Sequence, residues 1–126
     1  MNQIVATTNA PAAVGAYSQA VKAGKLLFVS GQIPIDPETG QQETGDIREQ
    51  TKRAMGNLLA VLAAGGARPQ HVAKVTIFLS DMADFAAVNE VYATYFPIDP
   101  PARACVEVAR LPKDAGVEIE CVAVCP

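Results

Sequence analysis

Two short segments near the end of the chain carry the side chains best suited to chemistry. From Pro101 to Val124 the sequence runs P-A-R-A-C-V-E-V-A-R-L-P-K-D-A-G-V-E-I-E-C-V-A-V. Side chains alternate across a strand. With that period, Arg103, Cys105 and Glu107 share one face, and Ala104, Val106 and Val108 the other. Past the L-P-K-D-A-G connection, Val117, Ile119 and Cys121 share a face, and Glu118, Glu120 and Val122 the opposite one. The apolar rows read as core. The remaining rows read as a mixed face, with an arginine and carboxylates among small and apolar residues. An arginine fork can hold a carboxylate ligand through two hydrogen bonds. A partly buried glutamate, raised from roughly 4.3 toward neutrality, can act on water. Each has a plain reading beside it. Arg103 can pair with Glu107 on its own face, and at least one of Glu118 and Glu120 can be purely structural.

Other reactive side chains point to less. The cysteines are Cys105, Cys121 and Cys125, no C-x-x-C is present, and His71 is the only histidine. A zinc site needs about four suitably spaced ligands, so no metal is expected. Cys105 reads as a small hydrophobe, because no histidine stands ready to activate it. Lys74 could form a Schiff base if desolvated, but a solvated lysine is the reading adopted.

The elements that must position these groups follow from periodicity and turn chemistry. Ile4–Thr7, Tyr17–Lys22 and Leu26–Ser30 read as strands, with Ala23-Gly24-Lys25 a tight turn. Gly31 permits close backbone approach and Pro34 stops the ladder. Asp46 and Glu49 have capping-box spacing and open a helix with Ile47, Thr51, Ala54, Leu58 and Leu62 on one face, ended by Gly65-Gly66. Val72–Ser80 is a strand with Ala73, Val75, Ile77 and Leu79 on its apolar face. Asp81 caps a second helix with Phe85, Val88, Tyr92 and Phe96 in one stripe, closed by Pro97. The order β-β-β-α-β-α-β-β predicts an α+β fold: a two-layer sandwich of a mixed sheet with two helices on one face. The other face, with Phe28, Phe78 and Val122, is too apolar for plain solvent surface, which argues for burial against further copies.

Four motifs then stand out: G-A-Y-S-Q-A at 15–20, V-S-G-Q-I-P at 29–34, D-F-A-A-V-N-E-V-Y at 84–92 and R-A-C-V-E-V-A-R-L-P-K-D-A-G-V-E-I-E at 103–120. With these, the chain resembles the RidA (YjgF-type) family of enamine/imine deaminases over nearly its whole length. The resemblance implies a chorismate-mutase-like fold and a homotrimer whose sheets close into a central barrel, with sites between subunits. It implies hydrolysis of 2-imino and 2-amino-2-enoic acids released by pyridoxal-phosphate enzymes, such as 2-aminoacrylate and 2-iminobutanoate, to 2-keto acids and ammonia. It implies no metal and no organic cofactor. By motif position, Arg103 would bind the substrate carboxylate and Glu118 would position or activate water. Tyr17, Ser30, Gly31, Asn89 and Cys105 would line the cleft. Ala16 departs from the proline common in G-P-Y, and the loop I-D-P-P-A before Arg103 is shorter than in some relatives.

Composition narrows the alternatives. The chain has 126 residues, half of them hydrophobic, and a net charge of −3. One domain over residues 1–126 is expected. No basic stripe and no tryptophan are present, which speaks against nucleic acid as a partner. The N-terminus lacks the pattern of a signal peptide, and the longest apolar run, around Leu58–Ala64, is too short to span a bilayer. A cytoplasmic protein without a membrane partner is expected. A non-catalytic module that binds small 2-keto or amino acids is the competing function.

Overall fold

The computed structural model describes Met1–Pro126. Strands β1 (Gln3–Val5), β2 (Ala20–Ala23), β3 (Leu26–Gln32), β4 (Val72–Leu79), β5 (Ala102–Glu107) and β6 (Val117–Val124) form one sheet in the order β1-β2-β3-β6-β4-β5. All neighbours are antiparallel except β4 and β5, which run parallel. A parallel pair needs a crossover. Helix α2 (Phe85–Ala93) supplies it, and α1 (Ile47–Ala64) joins β3 to β4. The fold is the expected α+β sandwich with a mixed sheet.

Helix α1 lies on β3 and β6 and against α2. Its stripe of Thr51, Ala54, Leu58 and Leu62 is fully buried, joined by Met55 and Val61. Asp46 caps it by accepting from the Arg48 amide at 2.9 Å. The capping box is only half made, since Glu49 turns to Lys52 instead. At the other end Gly66 takes φ +85°, where a side chain would be strained. Val75, Ile77 and Leu79 of β4 meet Val117, Ile119 and Cys121 of β6 beneath the helices. Burying such side chains contributes on the order of 1.5–3 kcal/mol each before entropy is counted.

Several expectations shift. The first two strands are shorter than the readings Ile4–Thr7 and Tyr17–Lys22, so Tyr17 to Gln19 lie in a loop. Ala73 is exposed at a register shift in β4, and Val72 takes its place in the core. Asp81 caps a 3₁₀ turn at Met82–Asp84 that leads into α2, and α2 ends at Ala93, before Phe96. The Nδ1 of His71, at the turn before β4, accepts from the Arg68 amide at 3.0 Å.

The largest correction concerns β5. In the parallel ladder Arg103 stands beside Val75 and Cys105 beside Ile77. Val75 and Ile77 point at the helices, so Arg103 and Cys105 do as well. Ala104 and Val106 lie on the open face beside Thr76 and Phe78. Val106 is 42% exposed and is not core within one chain. The strand sits at the edge of the sheet, where the helix layer thins and a long arginine can run along apolar surface with its head in water.

Candidate functional site

The anticipated site residues fall into two groups, on opposite faces of the sheet. The first is built around a bulge in β3. Val29 pairs with Cys121 and Gln32 with Ile119, so Ser30 and Gly31 together face one residue of β6, Glu120. Such a bulge bends the strand and re-aims its side chains. Gly31 lies against the side chain of Glu118, and a Cβ at Gly31 would overlap that carboxylate. Glycine is therefore what lets Glu118 lie there. Gln32 is buried, and its Nε2 donates to the Ser30 carbonyl at 3.2 Å.

Around this bulge Tyr17, Ser30, Gly31, Lys113, Glu118 and Glu120 share a cavity of about 590 Å³. Burial pushes the Glu118 carboxyl up, and the neighbouring Glu120 adds to the rise. The Ser30 hydroxyl donates to the Ser18 carbonyl at 2.6 Å, and its lone pairs remain open to a ligand. Tyr17 is 51% exposed, with its ring on the cavity wall. Lys113 reaches the rim from a strained turn in which both Lys113 and Asp114 take φ 55°. Arg110 and Asp114 bridge that turn with two hydrogen bonds.

Two buried amides that sequence reasoning missed hold the walls. Gln19 accepts from the Thr7 amide and donates to the carbonyls of Thr7, Ala10 and Pro11. Asn57, on α1, donates to the carbonyls of Ile33 and Ile35 at 3.2 and 2.8 Å. Pro11, Ile33 and Ile35 line the cavity. A signal for Asn57 was present: a lone amide amid the apolar run A-M-G-N-L-L must find partners once buried.

The second group lies on the helix side. Arg103, Asn89, Tyr92, Phe96 and Pro101 line a cavity of about 380 Å³. Arg103 Nη1 donates to Asn89 Oδ1 at 2.6 Å. The anticipated alternative, a pair with Glu107, is not formed; Glu107 accepts from the Met82 amide at 2.8 Å. Cys105 lines neither cavity. It is half-buried against the core, and burial pushes its thiol up against the pull of Arg103. That suits a packing residue and not a thiolate nucleophile. Lys74 is exposed on the open face. No group of three His, Cys, Asp or Glu side chains converges as a metal site.

One cavity therefore holds an arginine with no carboxylate partner and the other a partly desolvated carboxyl. Within one chain they do not meet. The open sheet face carries Phe28, 45% exposed, with Phe78 and Val122 partly covered. No helix is long and apolar enough to cross a membrane.

Comparison with known proteins gives this arrangement its family. The model of the Endoribonuclease L-PSP family matches residues 7–125. The chain is 54% identical over 123 residues to the RutC family protein PH0854 of Pyrococcus horikoshii, covering 98% of each. It is 46% identical over 124 residues to the 2-iminobutanoate/2-iminopropanoate deaminase of Mus musculus, covering 98% of this chain and 92% of that one. The crystal structure of E. coli TdcF with bound serine superposes with a TM-score of 0.94 at 42% identity, covering 98% of this chain and 99% of that one. With that family match over most of its length and relatives this similar, the chain belongs to the Endoribonuclease L-PSP family, the family of YjgF and RidA.

Proposed function

We propose that the chain is a 2-imino acid deaminase that works as a homotrimer, with each site completed by two subunits. The observation that carries this is the division of the site. Arg103 and Asn89 open on one side of the sheet, and Tyr17, Ser30, Gly31 and Glu118 on the other. A neighbouring copy that covers the apolar open face would bring one subunit's Arg103 to the next subunit's Glu118. In a closed cyclic assembly every subunit contributes one of each half. The reading treats residues 1–126 as one domain. The relatives named as deaminases support the reaction, and three free thiols support a reducing compartment such as the cytoplasm.

The chemistry needs little more than placement. The carbon of a protonated imine is already electrophilic. Arg103 would hold the substrate carboxylate in its fork. Glu118 would accept a proton from water as the oxygen adds to that carbon. The same proton, returned to nitrogen, makes the amine of the carbinolamine a leaving group. Collapse to the C=O bond expels ammonia as Glu118 takes the hydroxyl proton, which then leaves on the ammonia, so protonated imine plus water becomes 2-keto acid plus ammonium. Ser30 and the backbone at Gly31 would orient the water and the nascent oxygen. A positioned acid–base group of this kind contributes about 10²–10⁴-fold.

The test couples threonine dehydratase, as the source of 2-iminobutanoate, to semicarbazide trapping. Wild-type protein should suppress the semicarbazone; Arg103→Ala and Glu118→Gln should not. Refolding the two variants together should restore roughly a quarter of the sites, since random assembly joins an intact Arg103 to an intact Glu118 with that frequency. No recovery from mixed, folded oligomers would sink the shared site. No suppression by the wild type would sink deamination of this substrate. A second reading, a small-acid-binding module, is favoured by the serine in the TdcF structure. Tight binding of 2-ketobutyrate with no turnover would select it.

A further inference from the structure

Arg103 is held differently from the arginines that make ion pairs. Arg48, Arg53 and Arg110 each meet a carboxylate, of Glu90, Asp36 and Asp114. Arg103 meets none. Its guanidinium carbon lies 5.0 Å from the centroid of the Tyr92 ring and 5.5 Å from that of Phe85. Its one side-chain hydrogen bond goes to the neutral oxygen of Asn89. Phe85, Asn89 and Tyr92 stand at i, i+4 and i+7 on α2, so they form a single stripe of that helix facing β5.

The choice of partners matters. A carboxylate would order the fork and also cancel its charge. Ring faces attract a cation through their quadrupole and leave its net charge in place. The amide oxygen takes one of the five guanidinium N–H donors and leaves the others for a ligand. Tyr92 contributes its ring alone: it is only 4% exposed, and its buried hydroxyl has no hydrogen-bond partner.

We infer that Phe85, Asn89 and Tyr92 are positioning residues that hold Arg103 in one anion-ready pose without neutralising it. The functional sense of this clamp rests on the reading of Arg103 as the carboxylate anchor. The clamp itself does not need a substrate to form. Arginine is rotamer-rich, so a pre-ordered fork loses less freedom when it binds. The effect should fall on substrate binding more than on the chemical step.

The experiment uses full-length Tyr92→Leu, Phe85→Leu, Tyr92→Phe, Asn89→Asp and Arg103→Ala. Three readouts are taken: calorimetric binding of 2-ketobutyrate, KM and kcat for imine turnover, and the NMR signal of the Arg103 Nε–H. Tyr92→Leu and Phe85→Leu should each raise KM and the probe Kd roughly ten-fold with kcat little changed, and should broaden the Nε–H signal. Tyr92→Phe should restore wild-type values. Asn89→Asp should keep the signal sharp but lose the probe, because the new carboxylate neutralises the fork. Phe85 is only half-buried, so its variant stays informative if Tyr92→Leu fails to fold. Wild-type KM and an unchanged signal in the folded leucine variants, with Arg103→Ala inactive, overturn the clamp alone. Damage from Tyr92→Phe equal to that from Tyr92→Leu also overturns it, since the hydroxyl would then be the active part. Probe binding by Arg103→Ala equal to wild type overturns the anchor reading instead, whatever the NMR shows.

Discussion

The two halves of the candidate site reach their geometry by opposite means. Arg103 stands on an edge strand and is ordered by side chains of one helix. Glu118 stands near the sheet centre and is ordered by backbone: a bulge, a glycine against its carboxylate, and loops tied down by buried amides. The first half keeps a charge uncancelled at low steric demand. The second keeps a carboxylate partly desolvated, which requires walls. The arginine half should therefore tolerate changes in its surroundings better than the carboxylate half.

That contrast can be broken first at Gly31. Gly31→Ala should displace the Glu118 carboxylate and lower kcat by about 10²–10³-fold, within the range for loss of a positioned acid–base group. Binding of 2-ketobutyrate through Arg103 should fall far less. Equal losses in turnover and binding would mean that the two halves are not separable.

A smaller effect is expected on stability. Gln19→Ala removes the partner of one amide and three carbonyls, and should cost about 1–3 kcal/mol in urea denaturation. Asn89→Ala, its counterpart in the other half, should cost under ~1 kcal/mol because its partner is exposed and can turn to water. If Asn89→Ala costs as much as Gln19→Ala, the arginine half is part of the structural core.

The pH profile sharpens the comparison further. The Glu118 carboxyl is raised, first by burial and then by Glu120. It ionises later in the folded protein than in the unfolded chain. Its contribution to stability is therefore present at low pH and is lost as pH rises through the raised folded value. In the proposed reaction Glu118 works as the ionised carboxylate, so the acid limb of kcat/KM should lie above the ordinary glutamate range. Glu120→Gln removes the lesser cause and should move that limb to lower pH by only part of the shift. A limb that stays put or moves upward would leave Glu120 without a role in tuning Glu118.

The smallest effect is at Tyr92, whose hydroxyl burial pushes up to about 12. Tyr92→Phe discards a buried polar atom without a partner and should stabilise the fold by at most ~1 kcal/mol. A clear destabilisation would mean that the hydroxyl has a partner in solution.

Much of this architecture was legible from periodicity. The stripe on α1, the row on β6, the row on β4 from Val75 to Leu79, and the glycine at position 31 follow from spacing and residue type. The side of the sheet to which Arg103 points did not. Period two divides a strand into two faces without saying which one meets the helices, and on β5 both faces are of mixed size and polarity. Ala104 and Val106 look more apolar than Arg103 and Cys105, so the pattern alone puts them in the core. The parallel register with Val75 and Ile77 decides otherwise, and register is a long-range property. The amides of Gln19 and Asn57 were hidden for a similar reason: their partners lie 8 to 12 and 22 to 24 residues away, respectively.

The crossover from β4 through α2 to β5 also bears on the order of folding events. Arg103 and Asn89 are separated by 14 residues. The Glu118 cavity needs chain from Pro11 to Glu120 to come together. Closing a short loop loses less entropy and happens sooner than closing a long one. During refolding the arginine should therefore find its aromatic neighbours while the carboxylate is still in open water, and the last part of the chain to mature should be the half around Glu118.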